Sequence, residues 1–163
     1  MRIIRIDKNN QVNGDGLRCV IWFAGCGHKC EGCHNPETWD FNCGHSITMK
    51  DLDVIYDQLQ RKEISGITLS GGDPLYQAKD LVPFLKQIRF EFPDKDVWCY
   101  TGFEYEKIAD LECLDYIDVL IDGQYKQELN PGPGKVLWRG SINQRIIDLN
   151  QTREKNEITL LYY

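Results

Sequence analysis

Cys26, Cys30 and Cys33 fall within eight positions, in a C-x3-C-x2-C pattern inside FAGCGHKCEGCHNPETW. Thiolates are soft ligands, and three from one short segment can converge on one soft metal centre, an iron-sulfur cluster or zinc. Structural zinc sites take four ligands, usually as two separated pairs. Here the fourth would have to be His28, His34 or Cys43. The total of seven cysteines is odd, and their crowding fits a metal site in a reducing compartment better than a secreted disulfide framework. Cys19, Cys43, Cys99 and Cys113 are scattered; they read as small hydrophobes without a catalytic role.

A second candidate is the run TLSGGDP, residues 68–74. Gly71 and Gly72 would let a ligand approach the backbone closely, and carbonyls at a strand end, at Ser70 and beyond, accept hydrogen bonds from an ammonium group. The Asp73 carboxylate would add charge assistance or hold the turn. By itself the run is also simply a good turn. Its weight comes from lying one strand downstream of the cysteine segment.

Short apolar runs predict strands at residues 2–6, 19–23, 66–70, 97–101 and 116–121. Residues 48–61 carry Leu52, Ile55, Tyr56 and Leu59 at helical spacing, with Thr48 and Asp51 placed as a capping box. A second helix is expected from Asp80 as N-cap to Phe92, with Pro83 in its first turn and Pro93 closing it. Shorter helices are expected at 104–110 and from Ser141 through Ile142, Ile146 and Leu149, and an edge strand at 157–163. Alternating strands and helices imply an α/β fold with a mainly parallel sheet. A closed eight-fold barrel needs about 200 residues or more, so a chain of 163 residues supplies a partial, open (β/α) barrel in a single domain, 1–163. Both candidate loops then sit at carboxyl ends of strands, where such sheets assemble their sites.

The formal charge of -6 argues against nucleic acid as a partner, because the long-range term on phosphates is repulsive. No run approaches the roughly 20 apolar residues of a membrane span, and the first 18 residues hold no apolar signal-peptide core. A cytoplasmic protein without a membrane partner is expected.

The cysteine spacing, and its place after a strand, resembles the signature of the radical S-adenosylmethionine superfamily, and residues 70–73 resemble that superfamily's GGE motif with aspartate for glutamate. The resemblance implies a 4Fe-4S cluster on Cys26, Cys30 and Cys33, with the fourth iron left open for the amino and carboxylate groups of S-adenosylmethionine. It also implies cofactor contacts at Gly32, Cys33, His34, Ser70, Gly71, Gly72 and Asp73. Many members carry an aromatic residue where this chain has Gly32, and His34 would then supply the planar contact to adenine. Residues 12–18 (VNGDGLR), the CxNxxTW pattern of Cys33, Asn35, Thr38 and Trp39, and the runs YTGF (100–103), LIDG (120–123) and WRGSINQR (138–145) resemble glycyl-radical-enzyme activases, in particular those of anaerobic ribonucleoside-triphosphate reductase. Such a protein would take electrons from reduced flavodoxin or a similar donor, cleave S-adenosylmethionine reductively and use the 5'-deoxyadenosyl radical to form a glycyl radical on the reductase large subunit. Residues 138–145 are then a candidate docking surface for the reductase. The alternatives are an enzyme of the 7-carboxy-7-deazaguanine synthase type and a non-catalytic iron-sulfur or zinc binding module.

Overall fold

The computed structural model describes residues 1–161. Its strands are β1 (Arg2–Asn10), β2 (Leu17–Phe23), β3 (His45–Ser46), β4 (Ile64–Gly71), β5 (Asp96–Tyr100), β6 (Val119–Asp122) and β7 (Arg145–Asp148). Its α-helices are α1 (Met49–Leu59), α2 (Ala78–Glu91), α3 (Tyr105–Ile108) and α4 (Leu149–Lys155). The strands form one open seven-stranded sheet in the order β3-β1-β2-β4-β5-β6-β7. Its centre is parallel, β2 to β4 to β5 to β6. The flanks are antiparallel, with β3 and β2 both antiparallel to β1 and β7 antiparallel to β6. The architecture is therefore mixed α/β, parallel in the middle and not closed. Among the described residues no helix is long and apolar enough to cross a membrane.

Period-2 alternation divides the central strands between two faces. Cys19, Ile21 and Phe23 of β2, Ile67 and Leu69 of β4, Val97 and Cys99 of β5, and Leu120 of β6 join Ile55 and Leu59 of α1 and Leu81, Leu85 and Ile88 of α2 in the main core. The intervening positions face the other way. There Trp98, Val119, Ile121 and Ile146 form a smaller cluster, with Tyr100 and Trp138 against it. Arg18 belongs to this second face and is fully buried. Its guanidinium reaches Thr68 Oγ1 at 2.7 Å, the Ile67 carbonyl at 2.9 Å, the Asp15 carbonyl at 2.9 Å and Asp96 Oδ1 at 2.5 Å, and it lies 5.1 Å from the Trp98 ring centroid. One side chain thus ties β2, β4, β5 and the loop before β2 together.

Helix α1 starts as the sequence predicts: Asp51 N–H donates to Thr48 Oγ1 and Thr48 N–H to Asp51 Oδ2, a complete capping box. Other expectations are corrected. Asp80 is not the N-cap of α2, because a 3-10 turn at Pro74–Gln77 runs straight into a helix that begins at Ala78; Asp80 instead pairs with the amino terminus at 3.3 Å. Pro83 consequently lies inside the helix and not in its first turn. Residues 112–116 form a 3-10 turn, so the last parallel strand starts at Val119. The helix expected from Ser141 is absent. Ile146 and Ile147 alternate across the sheet as β7, and the helix comes after them, from Leu149, capped by Asp148, whose carboxylate accepts from Gln151 N–H. Of the edge strand expected at 157–163, an isolated bridge from Leu160 to Ile147 is present; Tyr162 and Tyr163 lie outside the described residues.

Arg18→Ala should lower the unfolding free energy by about 1–3 kcal/mol, the usual cost of leaving a buried acceptor without its donor, because Thr68 Oγ1 and the Ile67 carbonyl lose theirs while Asp96, 42% exposed, returns to water. Urea denaturation of the metal-free protein measures it. A change below about 1 kcal/mol, the size expected of an exposed pair, would show that the clamp contributes little.

Candidate metal and cofactor site

The cysteine loop leaves the carboxyl end of β2 at Phe23 and is stitched down at both margins. Gly25 N–H donates to the Thr38 carbonyl at 2.8 Å and Cys26 N–H to the Trp39 carbonyl at 3.2 Å, so the stretch that resembles CxNxxTW folds back over the start of the loop. Inside it, Cys33 N–H reaches the Cys30 carbonyl at 3.1 Å and Asn35 N–H reaches Cys33 Sγ at 3.4 Å. Lys29 and Gly32 adopt positive φ, 50° and 67°, and these reversals turn a short segment back on itself so that its thiols share a side.

All three thiols line one cavity. Ser70, Gly71 and Gly72 from the end of β4 line it too, with Tyr100, Thr101 and Gly102 from the end of β5, Gly123 and Tyr125 from beyond β6, and Asn13, His28, Asn35, His34, Gly140 and Gln144. The expected carboxyl-end site is therefore assembled from four parallel strands. His34 stands 4.8 Å from Tyr125, ring to ring. Gly32 and Asp73 are not among the lining residues. A Cβ at Gly32 would lie 2.2 Å from Gln127 Oε1, so the place where an aromatic side chain would start is already filled. The Asp73 side chain faces inward, where its oxygens accept from Leu75 N–H, Thr101 Oγ1–H and Gly102 N–H.

Gly71 and Gly72 meet a demand beyond ligand access. A Cβ on Gly71 would lie 2.4 Å from Phe23 N, and one on Gly72 would lie 2.4 Å from the Gly25 carbonyl oxygen. Backbone packs on backbone here, with Gly72 N–H donating to the Phe23 carbonyl and Asp73 N–H to the Gly25 carbonyl, each at 2.9 Å. The two candidate motifs are thus welded together, and only glycine permits the approach.

Of residues 138–145, Gly140 and Gln144 line the cavity, Ser141 and Gln144 are buried, and Ile142 is exposed. Trp138 is half-buried and meets Trp98 edge to face at 5.2 Å. Gln144 is buried: its Oε1 accepts from Gly140 N–H at 2.8 Å, and its Nε2 donates to the Gly123 carbonyl at 3.0 Å. Arg145 is held by Glu106 at 2.7 and 2.8 Å and by both oxygens of Asp122. These bonds hold Glu106 down to about 2. Asn13, Tyr100, Thr101, Gly123, Gly140 and Gln144 fall in runs that the family resemblance singled out, yet periodicity gives no sign that they would meet.

The donor set, three soft thiols from one loop, is one that an iron-sulfur cluster can use. All seven cysteines are free thiols. Among the described residues no three His, Cys, Asp or Glu side chains are grouped to hold one metal ion. A polynuclear cluster would spread three thiolates over three irons, and the three thiols share this cavity. Burial pushes the Cys26 and Cys30 thiols up, with the Asp73 charge adding to both; loading therefore releases protons. Cys19, Cys99 and Cys113 are buried elsewhere in the core.

A family profile described as a 4Fe-4S single cluster domain matches residues 12–147. The anaerobic ribonucleoside-triphosphate reductase-activating protein of Enterobacteria phage T4 is 43% identical over 148 residues, covering 90% of this chain and 93% of its own. That of Haemophilus influenzae is 35% identical over 161 residues, covering 90% and 97%, and that of Escherichia coli K12 is 40% identical over 139 residues, covering 82% and 89%. With likeness of this extent spanning the cysteine loop, the glycine turn and the cavity wall alike, the chain belongs to the family of anaerobic ribonucleoside-triphosphate reductase-activating proteins.

Proposed function

We propose that this protein activates anaerobic ribonucleoside-triphosphate reductase as a radical S-adenosylmethionine enzyme, its whole chain of 163 residues acting as one domain of the open (β/α) barrel type. The observation that carries this reading is that Cys26, Cys30 and Cys33 share one cavity with Ser70, Gly71 and Gly72. Cys26, Cys30 and Cys33 hold a 4Fe-4S cluster and, being three, leave one iron open. Bound there, S-adenosylmethionine supplies, on one-electron reduction, the 5'-deoxyadenosyl radical that takes a hydrogen atom from a glycine of the reductase large subunit.

This chain contributes positioning and exclusion of competing reactions. Strand-end carbonyls at Ser70 to Gly72 accept from the methionyl ammonium group, and His34, backed by Tyr125, offers its ring to the adenine. No side chain is needed as an acid or base, since a hydrogen atom is transferred. Reduced flavodoxin or a similar cytoplasmic donor supplies the electron, and neither nucleic acid nor membrane takes part.

Anaerobic reconstitution with iron, sulfide, a reductant and S-adenosylmethionine tests the reading. Release of 5'-deoxyadenosine, together with a glycyl-radical doublet in the electron paramagnetic resonance spectrum of added reductase, is expected. Cleavage with no radical on the reductase would indicate a different radical enzyme; a loaded cluster with no cleavage would indicate a binding module.

Substitutions in the two loops divide ligation from packing. Cys26→Ala, Cys30→Ala or Cys33→Ala should abolish S-adenosylmethionine cleavage, whereas Cys113→Ala should keep it, as assayed by 5'-deoxyadenosine release; normal activity in any of the first three would remove that residue from the ligand set. Gly72→Ala should lower both S-adenosylmethionine affinity and iron content, because its new methyl group meets the Gly25 carbonyl beside Cys26. Iron analysis beside cofactor titration checks this, and full iron content would show that the loop tolerates the push.

A further inference from the structure

We propose that Asp73 is a positioning residue for the cysteine loop, acting through the imidazole of His28, and not a contact to the cofactor. The inference rests on the cluster assignment made above and gives the acid of the glycine turn a different task from the one its resemblance implied.

His28 lies between Cys26 and Cys30, two residues from each. Its Nε2 stands 2.8 Å from Asp73 Oδ2, and the two side chains are 8% and 1% exposed. Its Nδ1 lies 3.2 Å from Gln124 Nε2, which can only donate. The pattern is satisfied by an imidazole whose proton is on Nε2, donating to Asp73 and accepting from Gln124. Asp73 Oδ2 also accepts from Thr101 Oγ1–H and Gly102 N–H, each at 2.9 Å. With three donors on one oxygen and Leu75 N–H on the other at 3.0 Å, the carboxylate is committed to the protein.

The ring has no freedom to leave. Phe103 meets it edge to face at 4.5 Å and Tyr76 lies tilted at 5.6 Å. A Cβ at Gly102 would come within 2.4 Å of its Cδ2, so glycine at this position leaves room for the ring beside the turn after β5. One imidazole therefore joins the loop after β2 to the ends of β4 and β5 and to the turn after β6. Groups of this kind, which hold and orient the residues that bind a metal, change its affinity and its electronic properties without touching it.

The test uses full-length protein reconstituted anaerobically, with iron and sulfide content, cluster midpoint potential, the spectrum of the reduced cluster, S-adenosylmethionine affinity and thermal unfolding of the metal-free chain as readouts. His28→Ala and Asp73→Asn should each weaken cluster retention by about 10–100-fold, the usual effect of losing such a partner, and shift the midpoint potential. His28→Gln, which keeps an N–H for Asp73, should restore most of the retention, and Gln124→Ala should fall between. A His28→Ala protein with the wild-type cluster content, potential and spectrum overturns the inference. So does an Asp73→Asn protein whose cluster is unaltered while S-adenosylmethionine binding weakens, since that is the signature of a direct cofactor contact. Equal failure of His28→Ala and His28→Gln with a matching loss of metal-free stability would reduce the pair to simple packing, again against the inference. A wild-type chain that takes up no cluster overturns the cluster reading and this inference together, whereas a wild-type chain that loads normally beside an unaffected His28→Ala overturns this inference alone.

Discussion

A guanidinium with no exposure to water is costly unless every side of it is answered, and Arg18 is answered by Thr68, Asp96 and two backbone carbonyls. Its partners belong to β4, to β5 and to the loop before its own strand, so the charge is satisfied only when three parallel strands lie side by side at one stagger. Thr68 Oγ1–H continues the chain of bonds to the Asn13 carbonyl at 2.8 Å, which fixes the segment that supplies one wall of the cavity. With the strands held at that stagger, Phe23, Gly71 and Tyr100 end close to one another, and the loops that leave them must meet.

Those loops meet mostly through backbone. The cysteine loop and the glycine turn touch through main-chain atoms, with Gly72 and Asp73 bonded to the Phe23 and Gly25 carbonyls. The opposite wall is built differently, by side chains: Gln144 bonds to the main chain of Gly123, Gly140 and Ser141, and the Arg145 guanidinium pairs with the carboxylates of Asp122 and Glu106.

The sequence was most legible where chemistry and pattern were local. Three cysteines in eight positions mark the loop whose thiols line one cavity, and Thr48 with Asp51 announces the start of α1. Legibility fell where a residue's role depends on a distant neighbour. Ile142, Ile146 and Leu149 share helical spacing, yet Ile146 and Ile147 face opposite sides of β7 because β6 offers a pairing edge, which overrides the local pattern. Asp80 has the letter of an N-cap, but the 3-10 turn at Pro74–Gln77 starts the helix at Ala78, ahead of it. Tyr100, Thr101 and Gln144 stood in runs that a family resemblance could mark, while no periodicity could say that they line the same space. Trp138 and Arg145 read as surface residues by type and prove to be packed and paired, since an aromatic ring and a guanidinium serve a wall as well as they serve an interface.

The parallel centre of the sheet has a consequence for the order in which the site comes into being. Neighbouring parallel strands need long crossovers, so β2 meets β4, and β4 meets β5, only after an intervening helix has been placed, and such non-local contacts form late because loop-closure entropy opposes them. The three thiols, in contrast, are neighbours along the chain and need no sheet to find one another. The segment that carries the thiols is therefore complete along the chain before the sheet is, while the cavity that they line waits on those non-local contacts.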